Sequence, residues 1–234
     1  GGKTGVDTPN GKNLVGAFHS PAAVIIDPAV LRTLPSHQFR SGLAEAVKHG
    51  AILDADYFAW IGEHVRELLA LEPAALEHLI TRSVQLKAGI VSADPFERDR
   101  RAILNFGHTV GHAIERDSGY TMPHGFAVAA GMCIEAMLGE ECGVTQAGTS
   151  SALANLLSRL ELPVRAEFAA ESVLDAMTID KKARSARPRF VLLRNIGECA
   201  TDPHGTWTHA VDPGALLNVL SAATLTSDSR LTAP

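Results

Sequence analysis

Arg101, Asn105, His108 and His112 follow one another at spacings of four, three and four in Arg101-Ala-Ile-Leu-Asn-Phe-Gly-His-Thr-Val-Gly-His112. Wound at about 100° per residue, they form one polar stripe, and Ile103, Phe106, Val110 and Ile114 take the opposite side. A cation, an amide and two imidazoles on an otherwise apolar segment suit metal and anion chemistry better than solvation, because solvated helix faces favour Glu and Lys pairs. His124 lies a short way downstream. Glu45 and Lys48, at i,i+3, interrupt the apolar run Leu43-Ala-Glu-Ala-Val-Lys. Two histidines, a carboxylate and an open position form the usual catalytic zinc arrangement. The residues alone offer Glu45 with two of His108, His112 and His124, the i,i+4 pair being the obvious choice by analogy with the helical HExxH geometry, which is itself absent. The other histidines (His19, His37, His49, His64, His78, His204 and His209) stand singly and receive no role.

The elements that must carry these groups are mostly helical. A helix over 98–117 carries the stripe, bounded by Asp94-Pro95 and Asp117-Ser118-Gly119. Gly107 and Gly111 cost it roughly 1 kcal/mol each against Ala, which suggests that a neighbour or ligand closely approaches its backbone. Further helices are expected over 36–53, 55–71, 73–93, 125–142, 148–160, 171–178 and 213–222. Asp180-Lys181-Lys182 reads as a charged turn. Residues 189–193 and 198–201 read as a β-hairpin around Ile196-Gly197. Residues 1–20 have the glycine-rich, polar chemistry of a loop, with Pro9 and Asn10-Gly11 as turn signals. Lys3, Lys12 and Asn13 stand in that loop among small residues, as donors for a phosphate would, although it lacks P-loop spacing. Residues 22–27 read as a short buried strand, and Pro28 as the opening of a helical turn. The tail from 224 reads as disordered. The domain boundary falls near residue 27.

Composition narrows the function classes. With 234 residues, 46% hydrophobic and 20% charged, the chain is an ordinary globular protein. A net charge of -5 opposes nucleic-acid binding by bulk electrostatics, and any basic cluster must be local, suited to a small anion. No apolar run approaches a membrane span, and no signal peptide leads the chain. Cys133, Cys142 and Cys199, scattered without CxxC spacing, read as buried free thiols in a reducing cytoplasm. The chain starts at Gly1-Gly2-Lys3 inside a motif and without methionine, so an upstream segment is expected to be missing.

Taken in order, GGKTG…GKN, GLAEAVKHG, LNFGHTVGHAIE, His124-Gly125 and the DKK turn resemble 3-dehydroquinate synthases and, more broadly, sugar phosphate cyclases. The likeness runs from residue 1 to about 200. It implies a mainly α, multihelical metal- and substrate-binding domain with a small β-hairpin over 28–223. Residues 1–27 would be the last loop and strand of a truncated α/β nucleotide-binding domain. It implies Zn2+, or another divalent ion such as Co2+, on Glu45, His108 and His124, and NAD in the complete enzyme. His112 then belongs to the substrate side. Lys3, Lys12, Asn13, Lys48, Lys87, Arg101 and Asn105, with a lysine of the Lys181/Lys182 pair, would face the substrate or its phosphate.

The implied substrate is DAHP, a seven-carbon sugar-acid phosphate, converted to 3-dehydroquinate with phosphate release in aromatic amino acid biosynthesis. A homodimer is implied, with neither nucleic acid nor membrane as partner. Without its cofactor domain the chain is expected to be inactive alone. Phe126 stands where the family has Glu after His-Gly, removing a carboxylate beside a ligand; Ala46 and His49 depart from an AEVIKYG-like pattern. The alternatives are another sugar phosphate cyclase, a metal-dependent polyol dehydrogenase, and a non-catalytic metal-binding helical scaffold.

Overall fold

The computed structural model describes residues 2–8, 11–182 and 188–224, with side chains except at 7, 11–13 and 178–182. In chain order the main elements are strands β1 (Lys3–Thr8) and β2 (Gly11–Phe18), then helices α1 (Ser36–Leu53), α2 (Ala55–Glu63), α3 (Val65–Leu69), α4 (Pro73–Ala93), α5 (His108–Asp117), α6 (His124–Glu141), α7 (Thr149–Arg159) and α8 (Ala170–Lys182). Short strands β3 (Arg189–Phe190), β4 (Leu193–Asn195), β5 (Glu198–Cys199) and β6 (His209–Ala210) precede α9 (Pro213–Ala223). Helices 3₁₀ in type cover Pro28–Thr33 and Arg100–Asn105. The architecture is mainly helical, as the periodicity predicts.

Helix α6 is the axis of the molecule. It is apolar all round and buried on nearly every side, from Gly125 to Gly139, which is how a helix in the middle of a core reads. On one side Val128, Ala129 and Met132 join Leu43, Val47 and Ala51 of α1 and Leu153 and Leu157 of α7. On the other, Ala130, Ile134 and Leu138 join Val110 and Ile114 of α5, Val173 of α8, Phe190 and Leu220 of α9. No helix among the described residues is long and apolar enough to cross a membrane.

Several expectations change. The stripe is not one helix. A 3₁₀ turn over Arg100–Asn105 ends at Phe106, Gly107 follows with φ 77°, and α5 starts at His108. Asp94 holds the incoming segment in its turn by accepting the N–H groups of Arg98, Asp99 and Arg101 at 2.9, 2.9 and 3.0 Å. The two glycines do mark close approach. A Cβ on Gly107 would lie 2.4 Å from Met132 Cγ, and one on Gly111 would lie 3.1 Å from the Ala127 carbonyl.

Residues 3–8 and 11–18 pair as two antiparallel strands and are not a loop. Val6 pairs with Val15 and Lys3 with Phe18, and the Thr4 hydroxyl donates to the Ala17 carbonyl at 2.7 Å. Their glycines conceal a ladder that local composition does not reveal. Residues 22–27 form no strand, and Val24 and Ile25 are exposed; an apolar run becomes a buried strand only beside a neighbouring strand.

The 55–71 helix breaks at His64, whose Nδ1–H donates to the Trp60 carbonyl at 2.9 Å, a side-chain bond that competes with the helical ladder. Asp180, Lys181 and Lys182 continue α8 rather than forming a turn. The expected 189–201 hairpin survives only as β4 against β5, while Arg189 and Phe190 pair with Ala210 and His209. Cys133 and Cys199 are buried free thiols, but Cys142 is exposed. Residues 225–234 lie outside the described residues.

Candidate metal and substrate site

Three helices bring the polar groups together. Glu45 and Lys48 come from the middle of α1, His108 and His112 from the first turns of α5, and His124 is the first residue of α6. Helix α6 begins almost in contact with α1: the Gly125 N–H donates to Ser41 Oγ at 2.8 Å, and a Cβ there would lie 2.0 Å from the Ser41 carbonyl oxygen. This approach sets His124 opposite Glu45.

Glu45 Oε1 is 3.4 Å from His108 Nε2 and 3.6 Å from His124 Nε2, while Oε2 pairs with Lys48 Nζ at 2.5 Å. The other nitrogen of each imidazole is already committed. His108 Nδ1 is 3.1 Å from the Phe106 carbonyl, and His124 Nδ1 is 3.1 Å from Glu115 Oε2. A carbonyl or a carboxylate can only accept, so each Nδ1 carries a proton; each Nε2 faces Glu45, donating to it when the ring is protonated and offering a lone pair to a metal ion when the ring is neutral. A carboxylate or carbonyl behind a histidine is the usual means of fixing a metal-binding tautomer. His112 joins the cluster; ligand atoms of His108, His112 and His124 lie within 4.8 Å of one another.

Burial works to raise the Glu45 carboxyl, but hydrogen bonds from His108 and His124 and the charge of Lys48 override it and hold it well below the usual carboxylate range. The hydrogen bond to Glu45 raises His124, burial opposes, and Glu115 adds to the rise. Burial lowers Lys48 against the pull of Glu45.

A cleft of about 1060 Å³ opens over this cluster. Its wall includes Asn105, His108, His112 and His124, with Gly5 and Val6 of β1 on one side and Arg189 on another. Lys3 reaches Glu97, whose other oxygen is 3.4 Å from Asn105 Nδ2, so Glu97 ties β1 to the cleft edge.

Lys48, Arg101 and Lys87 are not among the residues that line the cleft. Arg101 is buried, donates from Nη1 to the Pro95 carbonyl at 2.9 Å, and its charge bears on Glu97 at the cleft edge. Lys87 is exposed on α4, near enough to bear electrostatically on Lys48 and His49. The side chains of Lys12, Asn13, Lys181 and Lys182 lie outside the described ones.

Sequence reading passes over three carboxylates: Glu97, Glu115 and Glu135. Glu115 and Glu135 are buried. Glu135 is a lone acid in the apolar run Cys133-Ile-Glu135-Ala-Met, the same signal that singles out Glu45, whereas Glu115 is followed by Arg116 and Asp117 and carries no such signal. Glu115 also changes the meaning of Phe126, because a carboxylate already backs His124.

The family model described as 3-dehydroquinate synthase C-terminal matches residues 42–183, which is more than half of the chain. The chain belongs to the 3-dehydroquinate synthase family. The corresponding N-terminal model matches residues 1–41. A 3-dehydroquinate synthase of Xanthomonas campestris pv. campestris (strain 8004) is 47% identical over 229 residues, covering 94% of this chain and 60% of the relative. One from Xylella fastidiosa (strain M12) is 44% identical with the same coverage. The chain thus spans about 60% of the length of these curated relatives.

Among solved structures, a 2-deoxy-scyllo-inosose synthase complexed with carbaglucose-6-phosphate, NAD+ and Co2+ superposes with TM-score 0.83 at 26% identity, over 95% of this chain and 62% of that one. A 2-epi-5-epi-valiolone synthase from Streptomyces hygroscopicus subsp. jinggangensis 5008, with NAD+ and Zn2+ bound, gives 0.82 at 25% identity, over 95% and 61%.

Proposed function

We infer that this chain carries the metal- and substrate-binding half of a 3-dehydroquinate synthase, with Glu45, His108 and His124 as the ligands of a divalent cation. The observation that carries this reading is the convergence of His108 Nε2 and His124 Nε2 on Glu45 Oε1 at 3.4 and 3.6 Å. Bonds of 2.0–2.1 Å in a tetrahedron put neighbouring donors about 3.3 Å apart, so these donors need little rearrangement to accept zinc. When bound, the cation supplies Lewis-acid polarisation of a substrate oxygen, and NAD, in the complete enzyme, accepts the hydride.

The chain's own residues bind and orient. Lys48, held on Glu45, and His112, on the cleft wall, face the substrate. Asn105 and Lys3, joined through Glu97, serve its phosphate or carboxylate at the mouth, and Lys12, Asn13, Lys181 and Lys182 are further phosphate donors. Arg101, whose charge reaches Glu97, and Lys87, whose charge reaches Lys48, add cations for the substrate's anionic groups. Orientation and charge are what an elimination followed by an intramolecular aldol step asks of a protein.

Residues 1–27 are assigned to the end of an α/β domain and 28–223 to the helical domain. The exposed Val6, Phe18, Val24 and Ile25 favour a separate first unit, while the two family models meet further on, at 41 and 42. DAHP is favoured over other sugar phosphates by the names of the curated relatives. A cytoplasmic location rests on three unpaired cysteines, and a homodimer on the family likeness alone.

The test is metal content. The purified chain takes up about one zinc by elemental analysis, and His124→Ala removes most of it; unchanged content in that variant refutes the ligand set. Phosphate release from DAHP plus NAD by the chain alone refutes the assignment of cofactor binding to the part of the relatives that it does not span.

A further inference from the structure

Helix α5 starts at the candidate ligand His108, and its first N–H groups have no partner within the helix. The preceding residue, Gly107, has no side chain to cap them and cannot acquire one, since a Cβ would lie 2.4 Å from Met132 Cγ and 2.9 Å from the Met132 nitrogen. The cap comes from α6 instead. Glu135, fully buried, accepts the Gly107 N–H on one oxygen at 2.8 Å and the Val110 N–H on the other at 3.2 Å. The two donors bracket His108. A buried anion at the positive end of a helix binds strongly where water is excluded. The same carboxylate also acts on the charge of Lys48.

We propose that Glu135 is a positioning residue for the metal site: it fixes the backbone on both sides of His108 to α6, the helix that begins with His124. Both histidines are then referenced to one rigid, buried element, and their separation does not drift with the 3₁₀ segment that precedes α5. A buried carboxylate is an expensive cap, and a helix start serving only stability is met by an ordinary Ser, Thr or Asp before it. The inference rests on reading Glu45, His108 and His124 as the ligands.

Glu135→Gln tests it, because glutamine keeps the shape but offers one acceptor oxygen and turns an NH2 towards the second N–H. Zinc affinity, measured by chelator competition on the full chain, is expected to fall about 10- to 100-fold, and the visible spectrum of the Co2+-loaded chain to change. Wild-type affinity within about twofold and an unchanged cobalt spectrum overturn the proposal, even if the variant melts earlier. A measurement that needs no variant runs beside it: zinc loading slows amide exchange at Gly107 and Val110 in the wild-type chain. Unchanged exchange at both overturns the proposal as well. Failure of the wild-type chain to take up zinc overturns the ligand set and the proposal together, whereas uptake unaffected by Glu135→Gln overturns only the role of Glu135.

Discussion

His49 lies on α1 next to Lys48, buried, with no hydrogen-bond partner for its Nδ1 among the described residues. Burial, assisted by the Lys48 charge and opposed by Glu45, pushes its pKa from 6.5 down to about 4. The folded state therefore resists protonation that the unfolded chain accepts. A histidine depressed in the folded state contributes stability that is present above the unfolded pKa and lost as pH falls through the window from 6.5 to about 4. At ~1.4 kcal/mol per unit, linkage gives a loss of about 2 kcal/mol between pH 7 and pH 5 and about 3 kcal/mol below pH 4.

The metal-free chain, kept in chelator and unfolded with urea at pH 7 and pH 5, measures this directly. His124 has the opposite sign: its folded pKa is raised, so its contribution is full at low pH and declines as pH rises through that value. The lowered carboxyls of Glu45, Asp54 and Asp94 lose their contribution only below the ordinary carboxylate pKa of about 4. His49→Phe leaves all of these in place and removes one titration. The difference in pH dependence between wild type and variant isolates His49 at about 2 kcal/mol, with the variant less sensitive to acid. A difference below about 0.5 kcal/mol would refute the claim that His49 is held neutral by burial.

Two further outcomes follow from the site. Glu115→Gln replaces the charged acceptor of the His124 Nδ1 proton with a neutral amide and is expected to weaken zinc binding about 10- to 100-fold, read by chelator competition; affinity equal to wild type refutes the backing role. Gly107→Ala places a methyl against Met132 at a positive φ and is expected to destabilise the chain by at least about 2 kcal/mol, seen as a lower urea midpoint; a midpoint equal to wild type refutes that close packing.

Periodicity and residue type determine much of this protein. Helix α1 occupies the expected Ser36–Leu53, and α6 begins where His124-Gly125 announces it. The core side of the stripe, Ile103, Phe106, Val110 and Ile114, is buried as its spacing requires. Glu45, His108, His112 and His124 are legible as one polar set because each interrupts an apolar run. These are local properties, written in the spacing of a few residues.

What the tertiary structure alone decided depends on partners distant in the chain. The break at Gly107 buries Arg101 and leaves His108 to open a new helix. The choice of nitrogen on each imidazole belongs to Phe106 and Glu115, and the start of α5 belongs to Glu135 of another helix. Residues 3–8 and 11–18 become strands because they pair with each other, and 22–27 do not because no described strand lies beside them. Hydrogen-bond partners and strand neighbours are set by how helices and strands meet in space, and hydrophobic spacing within one segment carries no record of that meeting.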